Sequence, residues 1–169
     1  MSEIVIRRAE PGDLDFLLEL MNEDDVVQNL SVTRPADRDG LAAEIERSQA
    51  EPQDFGRFVI EVDGTRAGLM GFEVGNHRSR IANLGSLAIH PEFRGRHIAD
   101  KAARLFQQHL IRDLGYHRLQ LEIYGFNERA QRHAERAGFV REGARRRAYW
   151  RHGAWVDGVL YGLVEEDLS

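Results

Sequence analysis

The sequence predicts a mixed α/β domain built around a central sheet. Segments with apolar residues at every second position are interspersed, along the 169 residues, with segments whose apolar residues recur every three or four positions. Their order is one strand, two helices, three strands, a helix, a strand, a helix and two closing strands. This order is typical of a mixed sheet flanked by helices. A chain of this length is expected to form a single domain, residues 1–169, with a hydrophobic core.

Composition narrows the class of protein. A net charge of −5 argues against nucleic acid as the main partner. The sequence has no run of 18 apolar residues and no signal-peptide pattern at its start, so we expect a cytoplasmic protein without a membrane partner. The absence of cysteine excludes disulfides, thiolate zinc sites and a cysteine nucleophile. The seven histidines lack metal-ligand spacing, which predicts no structural or catalytic metal.

The N-terminal elements are a strand and two helices. Ile4 to Arg7 fits a short first strand, and Asp13 is expected to cap the first helix. A polar loop is expected over residues 22–34, and a second helix from Ala36 to Gln49. The apolar face of the first helix consists of Leu14, Leu17, Leu18 and Met21.

A hairpin follows the second helix. Arg57 to Val62 alternates as a strand, and Asp63-Gly64 is a strong signal for a two-residue turn. The returning strand is predicted from Thr65 to about Val74. Gly68 and Gly71 within it indicate bulges or close approach of a neighbouring backbone.

A strand–helix–strand unit occupies the middle of the chain. The strand is predicted from Ile81 to Ile89, and the helix from Arg94 to Leu114 with Gly115 as its stop. The next strand, Leu119 to Ile123, is parallel to its predecessor if the helix is a crossover.

One helix and two strands complete the chain. The helix is predicted from Asn127 to Ala137 and stops at Gly138-Phe139. Residues 140–168 form two strands joined at His152-Gly153.

The turn Arg94-Gly95-Arg96 connects a strand to the N-terminus of the longest predicted helix. N–H groups in the first turn of a helix have no intrahelical acceptors, and the helix dipole adds partial positive charge there. The turn can therefore direct backbone N–H groups, with or without the guanidinium groups, at a pyrophosphate. The alternative is a glycine-bearing turn that serves packing alone.

The stretch from Leu84 to Lys101 resembles the acetyl-CoA-binding motif of the GNAT superfamily of N-acetyltransferases, Arg/Gln-x-x-Gly-x-Gly/Ala. Arg94 and Ala99 match the motif, and His97 replaces its middle glycine. A histidine there either points away from the cofactor, contacts a phosphate or blocks the site. We favour an accommodated histidine because the surrounding pattern is intact.

Two further segments resemble this family. Asn127-x-x-Ala130 with Gly138-Phe139 follows the strand after the long helix, as in the family, and the resemblance implies that Asn127 helps to hold the pantetheine arm. The alternative for Asn127 is a plain helix N-cap. The closing segment from Tyr149 to Leu163 resembles the RimJ/RimL-type subgroup, so the resemblance covers nearly the whole chain.

The resemblance implies the GNAT fold: about seven strands, with a splay between the fourth and fifth strands, and about four helices. It also implies acetyl-CoA as cosubstrate, bound along the splayed strands and the phosphate loop. The backbone N–H of Leu87 is our candidate donor to the oxyanion. The cofactor-binding residues implied in this way are Leu87, Ala88, Ile89, Arg94, Gly95, Arg96, His97, Ile98, Ala99 and Asn127.

The general acid and base do not transfer by motif. Ala134 stands where many relatives have a tyrosine acid, Ala130 where some have serine, and Asn83 where others have a glutamate base. Tyr124, at a strand end, is our candidate acid, and Glu73 our candidate base through water. The alternatives are a packed aromatic ring and a solvated carboxylate. The complete set of candidates is Glu73, Tyr124, His133, Tyr149 and Asp157.

The predicted activity is acetyl-CoA-dependent transfer to a primary amine of a small molecule or a protein N-terminus, by direct attack and without a covalent acyl-enzyme. Glu23, Asp24 and Asp25 could attract a cationic amine, or could simply be solvated. The alternatives are a non-catalytic acyl-CoA-binding or regulatory module and a transferase that uses another acyl-CoA, such as succinyl-CoA. Many relatives dimerise, so a homodimer is compatible with the resemblance.

Overall fold

A computed structural model describes residues 2–27, 36–85 and 87–168. These residues form an eight-stranded mixed sheet that includes a parallel pair, together with five α-helices. The prediction of a mixed α/β fold is confirmed. The strands are β1 (Ile4–Arg8), β2 (Phe55–Val62), β3 (Thr65–Asn76), β4 (Ile81–Leu84), β5 (Ala88–Ile89), β6 (Arg118–Tyr124), β7 (Val140–Arg151) and β8 (Ala154–Val164). The helices are α1 (Leu14–Met21), α2 (Asp24–Val27), α3 (Arg38–Ala50), α4 (Ile98–Gln108) and α5 (Glu128–Arg136).

The chain divides into two compact units. The first comprises Met1–Val74 and Leu84–Phe106, and the second Gly75–Asn83 and Gln107–Ser169. Among the described residues, no helix is both long enough and apolar enough to cross a bilayer.

The first unit contains β1, β2 and β3 in that antiparallel order, with β5 beside β3. The β2–β3 turn is the predicted Asp63-Gly64, whose φ values of +50° and +81° suit a type I′ turn. Gly68 lies opposite Ile89, and a Cβ on Gly68 would approach the carbonyl oxygen of Ala88 to 2.6 Å. The predicted close backbone approach at Gly68 is therefore confirmed. The core of this unit includes Leu17, Leu20, Ile45, Val59, Leu69 and Ala88.

The continuous strand predicted from Ile81 to Ile89 is wrong. β4 pairs in parallel with β6, whereas β5 pairs antiparallel with β3. β4 lies between β3 and β6 in the sheet, and between β4 and β5 the chain leaves the strand at Gly85, whose N–H donates to the carbonyl of Gly71 at 2.9 Å. This break raises the strand number from about seven to eight.

The predicted helix start at Arg94 is also wrong, because α4 begins at Ile98. Gly95 and His97 have φ values of +79° and +58°, in the left-handed region that a right-handed helix cannot include. The helix ends at Gln108, and a π-helical turn, His109–Asp113, follows it.

Two N-terminal predictions need correction. The short helix α2 lies within the loop predicted over residues 22–34, of which 28–34 are outside the described residues. Asp13 precedes α1, but its side chain makes no cap hydrogen bond to that helix. The carboxylate instead accepts from Arg7, Arg66 and the Glu10 N–H.

The second unit contains β4, β6, β8 and β7 in that order. The parallel β4–β6 pair runs from Ile81 opposite Arg118 to Asn83 opposite Gln120, which confirms the predicted parallel strands. The β7–β8 hairpin turns at His152 and Gly153, as the sequence predicts. The buried side chains of this unit include Leu119, Val159, Tyr161 and Leu163.

Candidate active site

The predicted phosphate loop lies between β5 and α4 in the first unit. Positive φ recurs at Gly95 and His97, two residues apart, and both residues are exposed with Arg96 between them. Backbone that alternates between right- and left-handed conformations turns successive N–H groups toward one side and makes a concave anion site. Ile98 is 3% exposed and fixes the start of α4 in the core. The loop geometry thus suits an anion without requiring the Arg96 or His97 side chain.

The Arg94 guanidinium joins the loop to the end of β5 and to the acidic residues at the start of α2. Its Nε donates to the carbonyl of Ile89 at 2.9 Å, one terminal nitrogen pairs with the Asp25 carboxylate, and another lies 4.0 Å from Glu23. Glu23 and Asp25, two of the three acidic residues for which the sequence left amine attraction or solvation open, therefore face Arg94. Because this guanidinium is engaged, the backbone N–H groups are the candidate anion donors of the loop.

The strand residues implied by the resemblance lie together ahead of the loop. Leu87 is half-buried immediately before β5, Ala88 is buried in the core of the first unit, and Ile89 receives the Arg94 hydrogen bond. A role for the Leu87 N–H as oxyanion donor stays a prediction.

Glu73, the candidate base, lies on β3 in an ion pair. Its Oε2 is 2.9 Å from Nη1 of Arg47, whose guanidinium also stacks over Phe55 at 4.4 Å. The hydrogen bond that Arg47 donates to Glu73 raises the pKa of Arg47. Because the Glu73 carboxylate is already engaged, it would have to exchange this partner for a water in order to act as a base.

Tyr124 ends β6 in the second unit, with its ring surrounded on several sides. Its ring centre lies 5.4 Å from that of Phe126 and 5.7 Å from that of Tyr149, and the Arg151 guanidinium carbon lies 5.1 Å from it. No residue in the described part of the chain hydrogen-bonds to the Tyr124 hydroxyl. We call Glu122, Tyr124, Phe126, Tyr149 and Arg151 the Tyr124 cluster.

Sequence reasoning missed three members of this cluster, Phe126, Arg151 and the titratable residue Glu122. The Tyr149 hydroxyl donates to both of its carboxylate oxygens at 2.8 Å, and Nε of Arg145 lies 3.7 Å from Oε2. Burial, followed by this hydrogen bond, raises the pKa of Tyr149. The available signal was strand alternation, which puts Glu122 on the same face of β6 as Tyr124.

Gly158 of β8 makes room for the Glu122–Tyr149 pair. A Cβ at this position would lie 2.0 Å from Oε2 of Glu122 and 2.6 Å from the Tyr149 ring. Gly158→Ala is therefore expected to separate the pair and to lower the free energy of unfolding by about 1–3 kcal/mol. Urea unfolding of this variant checks the prediction. Gly12→Ala is the matched control because a Cβ there meets nothing within 4 Å, and equal stability of the two variants would contradict the prediction.

Three other residues that the sequence analysis discusses in the second unit have structural partners. Asn127 caps α5 and accepts from the Ala130 N–H at 3.2 Å, so the helix-cap alternative is satisfied and its pantetheine role stays a prediction. Asp157 accepts from the Arg147 N–H at 2.8 Å. Asn83 accepts from Nε2 of Gln120 at 2.8 Å, across the parallel pair.

A separate polar group lies at the opposite end of β6 from Tyr124. Nδ1 of His117 is 3.0 Å from Oε1 of Glu165, and with Glu166 the three potential ligand atoms lie within 4.8 Å. The Glu165 N–H also donates to the His117 carbonyl, so the group joins the start of β6 to the turn after β8.

Comparison with known proteins identifies the class. Residues 3–140 match the family described as the acetyltransferase (GNAT) domain, so this chain belongs to the GNAT acetyltransferase family. It is an acyltransferase, as the sequence predicts.

Relatives extend over nearly the whole chain. The spermidine N(1)-acetyltransferase of Escherichia coli is 29% identical over 161 residues, covering 92% of this chain and 83% of that protein. The L-amino acid N-acetyltransferase AaaT of Escherichia coli is 26% identical over 168 residues, covering 98% and 100%. The crystal structure of a Vibrio cholerae spermidine N-acetyltransferase with CoA and spermine matches with a TM-score of 0.87 at 23% identity, over 98% and 97% of the two chains. This match confirms the predicted GNAT fold.

Proposed function

We propose that the chain is an acetyl-CoA-dependent N-acetyltransferase that acetylates a primary amine by direct attack, and that residues 1–169 work as one domain. The observation that carries the proposal is the backbone of the phosphate loop, with left-handed Gly95 and His97 immediately before α4. The family match, which includes residues of both compact units, supports the single domain. The RimJ/RimL-type subgroup remains our finer expectation.

The donor is held mainly by backbone groups. The N–H groups of residues 95–98 bind the pyrophosphate, and the Leu87–Ile89 backbone together with Asn127 binds the pantetheine arm. Acetyl-CoA supplies the acetyl group as a thioester. Arg94 keeps the loop in shape through Ile89 and Asp25.

The transfer requires three catalytic groups of the protein. An N–H must stabilise the oxyanion, a base must remove a proton from the amine nitrogen, and an acid must protonate the departing thiolate. Leu87 provides the N–H, and the hydroxyl of Tyr124 protonates the thiolate. Glu122 joins Glu73 as a candidate base through water, because its carboxylate lies in the Tyr124 cluster. No covalent intermediate is required, which suits a chain without cysteine.

His97→Gly tests the phosphate loop. The His97 side chain is 89% exposed and its φ is +58°, so glycine relieves a left-handed conformation that costs an L-residue about 1 kcal/mol. We expect the variant to be more stable by about that amount, and acetyl-CoA at 100 times its Kd to stabilise both proteins by about 2.7 kcal/mol.

Thermal unfolding with and without acetyl-CoA measures both effects. His152→Gly, at an exposed φ of +52°, is the control for backbone relief outside the loop. If acetyl-CoA stabilised the His97→Gly protein and not the natural one, the histidine would block the site. The natural chain would then be a non-catalytic module and not an enzyme.

A panel of donors and amines tests the activity. Release of the CoA thiol is followed with acetyl-CoA and succinyl-CoA, in the presence of spermidine, free amino acids and a peptide with a free N-terminus. We expect acetyl-CoA to be consumed only when an amine is present. Faster release of the CoA thiol from succinyl-CoA than from acetyl-CoA would identify succinyl-CoA as the acyl donor.

A further inference from the structure

We propose that His117, Glu165 and Glu166 form a binding site for Zn²⁺ or a similar divalent transition metal, and that the metal fastens the turn after β8 to the start of β6. The three residues lie at the opposite end of β6 from Tyr124. The inference therefore goes beyond the proposed function and does not depend on it.

Strand pairing brings the ligand residues together. His117 immediately precedes β6, Glu165 immediately follows β8, and these antiparallel strands place Arg118 opposite Val164. Residues that are 48 positions apart in the sequence thus become neighbours. Spacing along the chain could not reveal this group, because its members belong to different elements.

Backbone hydrogen bonds hold the two segments of the site in place. The His117 N–H donates to the Arg80 carbonyl at 2.9 Å, and the His117 carbonyl accepts from the Glu165 N–H at 2.9 Å. Glu165 opens a 3₁₀ turn, in which the Asp167 carboxylate accepts from the Val164 N–H at 3.0 Å. Because the backbone is already fixed, a metal orders little more than side chains, which lowers the entropic cost of binding.

The distances between the side chains suit a metal ion. Nδ1 of His117 and Oε1 of Glu165 are 3.0 Å apart, and with Glu166 the three potential ligand atoms lie within 4.8 Å of one another. Two ligand atoms that are each about 2.1 Å from a metal and at right angles are roughly 3.0 Å apart. Glu166 is exposed, so its side chain can change rotamer to bring the third ligand atom to the metal.

The mixture of donors selects the class of metal. An imidazole nitrogen favours first-row transition metals, whereas Mg²⁺ and Ca²⁺ prefer sites made of oxygen atoms. Two carboxylates and one neutral imidazole also balance the charge of a divalent ion. We therefore expect Zn²⁺ to bind, and Mg²⁺ and Ca²⁺ to bind far more weakly.

Charges on the segments that carry the site favour a cation. The Asp167 carboxylate adds to the two ligand carboxylates in the same turn. Arg118 forms an ion pair with Glu142, at 2.9 Å between Nη1 and Oε2, so these two charges offset each other. Arg80, whose carbonyl accepts from the His117 N–H, contributes one positive charge. The sum over these segments is negative before a metal arrives, and opposite charges attract.

Calorimetric titration with ZnCl₂ tests the proposal on the full chain after treatment with EDTA and dialysis. We expect one Zn²⁺ per chain at this site, and a higher Tm with ZnCl₂ but not with MgCl₂ or CaCl₂. His117→Gln and Glu166→Gln should each weaken Zn²⁺ binding by at least about 10-fold, since loss of even an outer-shell partner costs about 10–100-fold in metal affinity.

His152→Gln is the matched control. It removes an exposed histidine in the β7–β8 turn, outside the group of three, and should keep the natural affinity for Zn²⁺. Glu166→Gln guards against a loss through misfolding, because no described residue bonds to the Glu166 side chain. Circular dichroism of each variant without metal should match that of the natural protein.

Two results would overturn the inference. If ZnCl₂ neither bound nor raised the Tm, His117 and Glu165 would be a surface ion pair and nothing more. If Zn²⁺ bound the His117→Gln protein as tightly as the natural one, or if His152→Gln weakened binding equally, the metal would be an adventitious ion only. Both results leave the proposed acetyl transfer untouched, since neither measurement involves acetyl-CoA.

Discussion

Replacing Tyr124 by phenylalanine is expected to lower kcat about 10²-fold, because a positioned proton donor contributes at least that much. Stability should change little, since no described residue hydrogen-bonds to the hydroxyl that is removed. The KM for acetyl-CoA should also stay the same, because the proposed donor contacts are backbone groups and Asn127. The measurement is the steady-state rate with both substrates saturating.

A second tyrosine of the same cluster provides the control for the Tyr124→Phe experiment. Tyr149→Phe, which removes the hydrogen bond to Glu122 and leaves the Tyr124 hydroxyl in place, is the control. A Tyr124→Phe enzyme that retained its natural kcat would eliminate Tyr124 as the acid and would return the ring to a packing role against Phe126.

Asp13→Asn is expected to lower the free energy of unfolding by about 3 kcal/mol at pH 7, in the range found when a buried ion pair loses one partner. The Asp13 side chain is 2% exposed and accepts from Arg7 at 2.7 and 2.9 Å, from Arg66 at 2.7 Å and from the Glu10 N–H at 2.7 Å. Its loss leaves two guanidinium groups without their shared carboxylate. Asp15→Asn, at a pair whose aspartate is 83% exposed, should change stability by less than about 1 kcal/mol.

The same carboxylate makes the fold sensitive to acid. The Arg7 hydrogen bond, with smaller contributions from the Glu10 N–H and Arg66, holds the pKa of Asp13 well below its ordinary value. A group with a lowered pKa in the folded state stabilises the protein above its unfolded value of about 3.9 and loses this contribution as the pH falls toward the folded value. Unfolding free energies at pH 7 and pH 3 should therefore differ more in the natural protein than in Asp13→Asn. An identical difference would contradict the assignment.

The sequence was sufficient wherever local rules govern the backbone. Alternation and glycine-containing turns predicted the β2–β3 hairpin and the β7–β8 hairpin, and helix periodicity predicted α1, α3 and α5. The candidate phosphate loop was proposed for the same reason, since strand, glycine turn and helix follow one another in the chain. The resemblance to a known family then supplied the cosubstrate.

Non-local interactions account for what could not be predicted. The interruption between β4 and β5 involves pairing with strands that are distant in sequence, β3 and β6, which no local pattern reveals. The late start of α4 depends on a left-handed histidine, a conformation that sequence rarely signals. Arg151 is 27 residues from Tyr124 in sequence, and their contact follows from the irregular β7–β8 register.

The most direct test of the central claim is an end-point assay of acetyl transfer. The natural protein is incubated with acetyl-CoA and a mixture of free amino acids, spermidine and a peptide with a free N-terminus. Mass spectrometry identifies N-acetylated products while thiol release is measured in parallel. The account predicts an N-acetylated amine in an amount equal to the CoA released, and almost no release without amine. Stabilisation by acetyl-CoA with no acetylated product from any amine would contradict it and would leave an acyl-CoA-binding module.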